Sequence, residues 1–156
     1  MISRLFKHPA RLLLAAGGFA LLGLSGPALA ATSGQMFHNP SCGCCHKWAA
    51  HMQANGITLQ TTEQQDMARV KQQWGVPGTL QSCHTARVGG YVIEGHVPAT
   101  VVKRLLKEKP AIRGLAVAGM PAGSPGMEAP VSQPYQVVAF RADGQQYVYA
   151  SMPGGR

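Results

Sequence analysis

Three of the chain's four cysteines fall within four consecutive residues, Cys42-Gly43-Cys44-Cys45, directly after Asn39-Pro40-Ser41 and directly before His46. The fourth, Cys83, also stands beside a histidine, His84. Evenly scattered cysteines would suggest disulfide staples. A cluster suggests a site, because thiolates are nucleophiles and soft metal ligands, and packing alone rarely needs three at once. The spacing also limits bridging. Neighbours such as Cys44 and Cys45 join only by straining the peptide between them, whereas a Cys42–Cys45 bridge is feasible and leaves Cys44 and Cys83 to find partners.

The first thirty residues read as an export signal. Arg4, Lys7 and Arg11 are a positive start, Leu12 to Leu24 is an apolar run, and Ala28-Leu29-Ala30 supplies the small residues of a cleavage site before Ala31. The run is shorter than the ~20 residues a spanning helix needs, so the expected mature protein is periplasmic, with no stable membrane anchor. Cleavage would remove three positive charges and take the formal charge from +8 to +5. What remains, on Arg69, Lys71, Arg87, Lys103, Arg104, Lys107 and Lys109, reads as solvated helix faces. No basic stripe is interleaved with stacking aromatics, which argues against a nucleic-acid partner. An oxidising compartment would permit disulfides.

Residues 31–156 are enough for one domain. Met36-Phe37-His38 suits a strand leading into the cysteine loop. Ser41 is placed to cap a helix whose apolar face is Cys45, Trp48, Ala49 and Met52, ended by Asn55-Gly56. Ile57 to Thr61 reads as a second strand, and Met67, Val70 and Trp74 mark a second helix stopped by Gly75 and Pro77. Thr85–Val88 and Tyr91–Ile93 flank Gly89-Gly90, a tight-hairpin signal. Pro98 opens a third helix with Val101, Val102, Leu105 and Leu106 on its buried face. The expected order is β-α-β-α-β-β-α, an α/β fold. Beyond it, 111–134 is rich in Gly, Pro, Ala and Met and reads as an ordered loop. A β-hairpin follows over 135–150, turning at Asp143-Gly144.

The C-x-x-C pair Cys42 and Cys45 therefore starts a helix, where unpaired N–H groups and the positive end of the dipole stabilise thiolates. Both metal ligation and attack on a disulfide need that anion.

Strand, C-x-x-C at a helix start, strand, helix, hairpin, helix resembles the thioredoxin-like order. More narrowly, Asn39-Pro40-Ser41-Cys42-Gly43-Cys44-Cys45, Ser82-Cys83-His84-Thr85-Ala86, Glu94-Gly95-His96-Val97-Pro98 and Gly119-Met120-Pro121 with Gly123-Ser124-Pro125-Gly126-Met127-Glu128 together resemble the CopG-type family. Its members are periplasmic metal-binding proteins associated with copper resistance. The resemblance spans roughly residues 35 to 130. It implies that Cys83 lies at the start of the strand packed against the C-x-x-C loop, where a cis-proline usually sits, so that all four sulfurs converge. Val76-Pro77 is the rival for that place and would move Cys83 away.

Four thiolates in one pocket suit Cu(I), for which sulfur selects, and can hold Zn(II). Adjacent Cys44 and Cys45 make a simple mononuclear chelate awkward, and bridging thiolates would allow several copper ions. The metal set is thus Cys42, Cys44, Cys45 and Cys83, with His46, His84, His96, Met120 and Met127 as further candidates. His38 and His51 read as ordinary core or surface residues, and Met36, Met52 and Met67 as core. The leading function is a periplasmic copper-binding protein of copper resistance rather than an enzyme. Redox conversion of copper is kept open, and other periplasmic copper-handling proteins are its expected partners. The alternative is a thiol–disulfide oxidoreductase using Cys42 and Cys45, against which the extra thiols of Cys44 and Cys83 stand, since they would divert a mixed disulfide.

Overall fold

The computed structural model describes residues 32–155, so the export signal read over 1–30 lies outside the described residues. The elements run β1 (Thr32–His38), α1 (Gly43–Ala54), β2 (Ile57–Glu63), α2 (Met67–Trp74), a 3-10 turn (Gly78–Leu80), β3 (His84–Val88), β4 (Tyr91–Glu94), α3 (Ala99–Glu108), β5 (Gly114–Ala116), β6 (Tyr135–Phe140) and β7 (Gln146–Met152). All seven strands join one mixed sheet in the order β2-β1-β3-β4-β5-β6-β7. β1 runs parallel to β2 and antiparallel to β3, and the β3–β4 hairpin turns on Gly89 and Gly90, both at positive φ.

Strand alternation divides the core into two layers. One face carries Met36, Ala86, Val88, Ile93, Leu115 and Ala139 and buries Cys45, Trp48 and Met52 of α1 with Val102 and Leu105 of α3. The other carries Val92, Ala116 and Phe140 and is covered by Trp74, Val76 and Leu80 at the end of α2 and its following turn. Trp48 is fully buried and its indole N–H donates to the Val97 carbonyl at 2.9 Å, so the ring packs without leaving a polar atom unpaired. Truncating such a side chain to alanine costs about 3–5 kcal/mol.

Several local expectations are corrected. β5 was not expected, yet this three-residue strand lies parallel to β4 and antiparallel to β6, and so ties the C-terminal hairpin to the sheet. Arg104 fastens the hairpin from α3, donating to the Tyr149 carbonyl at 2.7 Å with its guanidinium 4.1 Å from that ring's centre. Ser41 does not cap α1. Cys42 holds the cap position, and Ser41 Oγ turns back to Asn39 Oδ1 at 2.8 Å. No peptide bond among the described residues is cis, so neither the Cys83 position nor Val76-Pro77 carries the cis-proline that the resemblance implies. Lys71 is not on a solvated face but buried, its Nζ 2.6 Å from Glu94 Oε1.

His51 is more than a surface residue. Its Nε2 accepts the Ala99 N–H at 3.1 Å, satisfying one of the unpaired donors at the start of α3. That acceptor role requires the neutral ring, and burial lowers the pKa of His51. A lowered folded-state pKa means stability that is complete above the unfolded value of about 6.5 and is lost as pH falls toward the folded one. Thermal melting of reduced, metal-free protein should therefore fall between pH 7 and 5. His51→Gln, which keeps an acceptor but cannot titrate, should flatten the slope. Equal slopes for the two proteins would contradict this role.

Candidate metal centre

The cluster forms where two chain segments meet. β1 ends at His38, the chain turns through Asn39-Pro40-Ser41, and α1 begins with Cys42 at its cap and Cys44 and Cys45 in its first turn. β3 begins opposite, with His84 registered against His38, so Cys83 arrives beside the same turn. Cys42 and Cys45 are disulfide-bonded, with Cα atoms 5.4 Å apart. Cys44 Sγ lies 3.5 Å from Cys42 Sγ and 3.7 Å from Cys83 Sγ. All four sulfurs thus lie within 4.8 Å of one another. Cys45 is buried, and the other three are half-buried.

A second donor group shares Cys83. Its Sγ is 3.3 Å from His84 Nδ1 and 3.1 Å from His96 Nε2. His96 Nδ1 lies 2.8 Å from the Pro125 carbonyl, which can only accept, so Nδ1 carries the proton and Nε2 turns its lone pair to the sulfur. This is how metal-binding imidazoles are usually oriented, by a partner on the other nitrogen. His84 is packed between Trp48 and His96, with ring centres 4.4 and 5.1 Å away, and its buried Nε2 has no hydrogen-bond partner among the described residues. Burial holds the pKa of both histidines down, that of His84 furthest, so both are neutral donors at pH 7. Cys83 is shifted the other way. Burial first, and then the neighbouring Cys44, push its thiol up to about 12. In the metal-free chain it keeps its proton at neutral pH, and a soft cation must displace that proton to bind.

The remaining candidates are placed less centrally. His46 is exposed and stands outside both donor groups, its ring edge-on to buried His38 at 4.7 Å. Met120 is 53% exposed. Met127 lines a cleft with Gly43, Cys44, Lys47 and Glu128, at the outer side of the cluster. The loop bearing both methionines is folded onto α1 by Gly126. A Cβ there would lie 2.8 Å from the Cys44 carbonyl oxygen, and its φ is +87°, so only glycine fits without displacement. The Pro125 carbonyl and the close approach at Gly126 were missed in the sequence. The Gly-Ser-Pro-Gly run marks a turn there but does not say what it packs against.

A family described as a protein of unknown function, DUF411, matches residues 80–127. Two solved structures, both named copper resistance protein CopG (forms 1 and 2), are 41% identical to this chain. Each covers 78% of it and 98% of its own length, with TM-scores of 0.75 and 0.74. The chain belongs to the CopG family. No curated protein matches. Within this CopG-family chain no described helix is long and apolar enough to cross a membrane.

The contact between Cys44 and Cys83 makes a prediction independent of any metal. With Cys42→Ser and Cys45→Ser in place, mild oxidation should join Cys44 to Cys83 and yield a crosslinked peptide pair on mapping. Recovery of both as free thiols would mean the two segments do not meet as described.

Proposed function

We propose that this chain is a periplasmic copper-binding protein of copper resistance that holds Cu(I), and more than one ion, at Cys42, Cys44, Cys45 and Cys83. The observation that carries the reading is the convergence of four sulfurs on one pocket in a CopG-family chain. Thiolates select Cu(I) over harder ions, and zinc is the lesser competitor for the same tetrahedral donors. Cys83 belongs to both donor groups, which favours bridging between ions, with His84 and His96 as nitrogen donors. Met127, beside Cys44 in the outer cleft, and exposed Met120 are placed to pass copper in from other periplasmic copper-handling proteins. His46 is the weakest of the ligand candidates.

The Cys42–Cys45 bridge adds redox conversion to this reading. Two thiols and two Cu(II) ions give one disulfide, two Cu(I) ions and two protons, so the dithiol supplies both electrons. Cys44 and Cys83, with His96, then remain to hold the product. The architecture proposed for this chemistry is a thioredoxin-like core of β1 to α3 in a single domain over 31–156, extended by the 111–134 loop and the 135–150 hairpin. Residues 1–30 serve as the cleaved export signal.

Disulfide exchange is the second reading, favoured by a bridged C-x-x-C pair at a helix start. Cys44 Sγ stands 3.5 Å from Cys42 Sγ, however, close enough to resolve any mixed disulfide wastefully. Cys44→Ser and Cys83→Ser should each weaken Cu(I) affinity about tenfold or more in competition with a chelator, because a soft ion then accepts a weaker donor. Insulin reduction by the unaltered protein should stay near background. Robust insulin reduction that survives both substitutions, with Cu(I) affinity unchanged, would favour exchange instead.

A further inference from the structure

Cys83 lies in a bend between the 3-10 turn and β3, outside the strand ladder, so the sheet alone does not set its position. The residues on either side of it are held from behind the sheet by one side chain. Glu94 Oε1 accepts the Ser82 N–H at 2.7 Å, and Oε2 accepts the Thr85 hydroxyl at 2.6 Å. Lys71 Nζ donates to Oε1 at 2.6 Å and to Thr85 Oγ1 at 2.9 Å, closing the network. Side chains of Lys71 and Glu94 are 5% and 0% exposed. Thr85 alternates with His84 along β3, so the network sits on the α2 side while His84 faces Trp48 and the cluster.

Stability is a poor reason for such a pair. Two buried charges cost several kcal/mol to desolvate, and apolar residues of similar volume often serve as well or better. What the pair does supply is direction. A carboxylate with both oxygens committed fixes the main chain just before Cys83 and the Thr85 side chain two residues after it. A second contact reinforces the same point, since Gly95 leaves no room for a Cβ beside Ser82, which would meet it at 2.5 Å.

We propose that Glu94, aimed by Lys71, is a positioning residue that sets the place of the Cys83 sulfur in the cluster from the opposite face of the sheet. The copper consequence rests on the copper reading above; the geometric one does not. Two measurements therefore go together: Cu(I) affinity, and the yield of the metal-free Cys44–Cys83 crosslink in the Cys42→Ser, Cys45→Ser background. The Glu94→Leu, Lys71→Met double variant removes the acceptors without leaving an unpaired charge. It should lower Cu(I) affinity about tenfold, the scale of one charge-assisted hydrogen bond, and should lower the crosslink yield. Glu94→Gln with Lys71→Met keeps an oxygen for the Ser82 N–H and should restore most of both.

In a Cys83→Ser background the apolar pair of substitutions should cost no further affinity. An equal loss there, or wild-type affinity and crosslinking in the apolar double variant, would overturn the proposal. If that variant does not fold, Ser82→Pro deletes the N–H together with the hydroxyl, and Ser82→Ala, which loses the hydroxyl but keeps the N–H, is its control. Ser82→Pro should lose crosslink yield where Ser82→Ala does not, and equal yields would overturn the proposal. A protein that crosslinks as expected but binds no copper would retain the positioning role and refute the copper reading instead.

Discussion

The antiparallel pairing of β1 with β3 is the constraint on which the site depends. Its last pair, His38 with His84, brings the exit of one strand beside the entrance of the other. The cysteine turn follows His38 and Cys83 precedes His84, so two segments separated by some forty residues of chain deliver their sulfurs to one place. A slip of one residue would turn His84 to the α2 face and carry Cys83 with it. The fully buried alternation of His84, Ala86 and Val88 against α1 and α3 makes that slip costly. The core therefore guards the register, and the register guards the cluster.

Chemistry at this place is governed by burial and by the helix start. Cys44 sits in the first turn of α1, and Cys83, reached from β3, is buried enough to keep its proton. Both histidines beside Cys83 are held neutral, and one has its free nitrogen turned to the sulfur by the Pro125 carbonyl. Soft sulfur and neutral nitrogen donors are a poor match for hard ions and a good one for copper. On the proposed reading the C-x-x-C pair would interconvert between two donors and one bridge, so the residues assigned to the metal would also store two electrons.

Much of this was legible in the residues, and the failures have physical causes. The 3.6-residue spacing of Cys45, Trp48 and Met52 and the Gly89-Gly90 turn are local signals, and the helix and hairpin follow them. Convergence of Cys83 is a long-range fact that only family resemblance implied. β5 is three residues buried on both faces, too short and too uniformly apolar to show alternation. Lys71 completes the apolar spacing of Met67, Val70 and Trp74, a signal that was present but overridden by its charge. Glu94, its partner, lies at the end of a strand where no spacing links the two. Position within the fold, not residue type, turned both charges inward.

The central claim is that sulfur from all four cysteines holds the copper. X-ray absorption at the copper edge, on protein reduced and loaded with Cu(I) under anaerobic conditions, reads the donors directly. The account predicts a first shell dominated by sulfur, with copper–copper scattering from bridged ions, and a partial shift to nitrogen or oxygen donors when Cys42 and Cys45 are both replaced by serine. A shell of nitrogen and oxygen in the unaltered protein, or a sulfur shell indifferent to those substitutions, would contradict it.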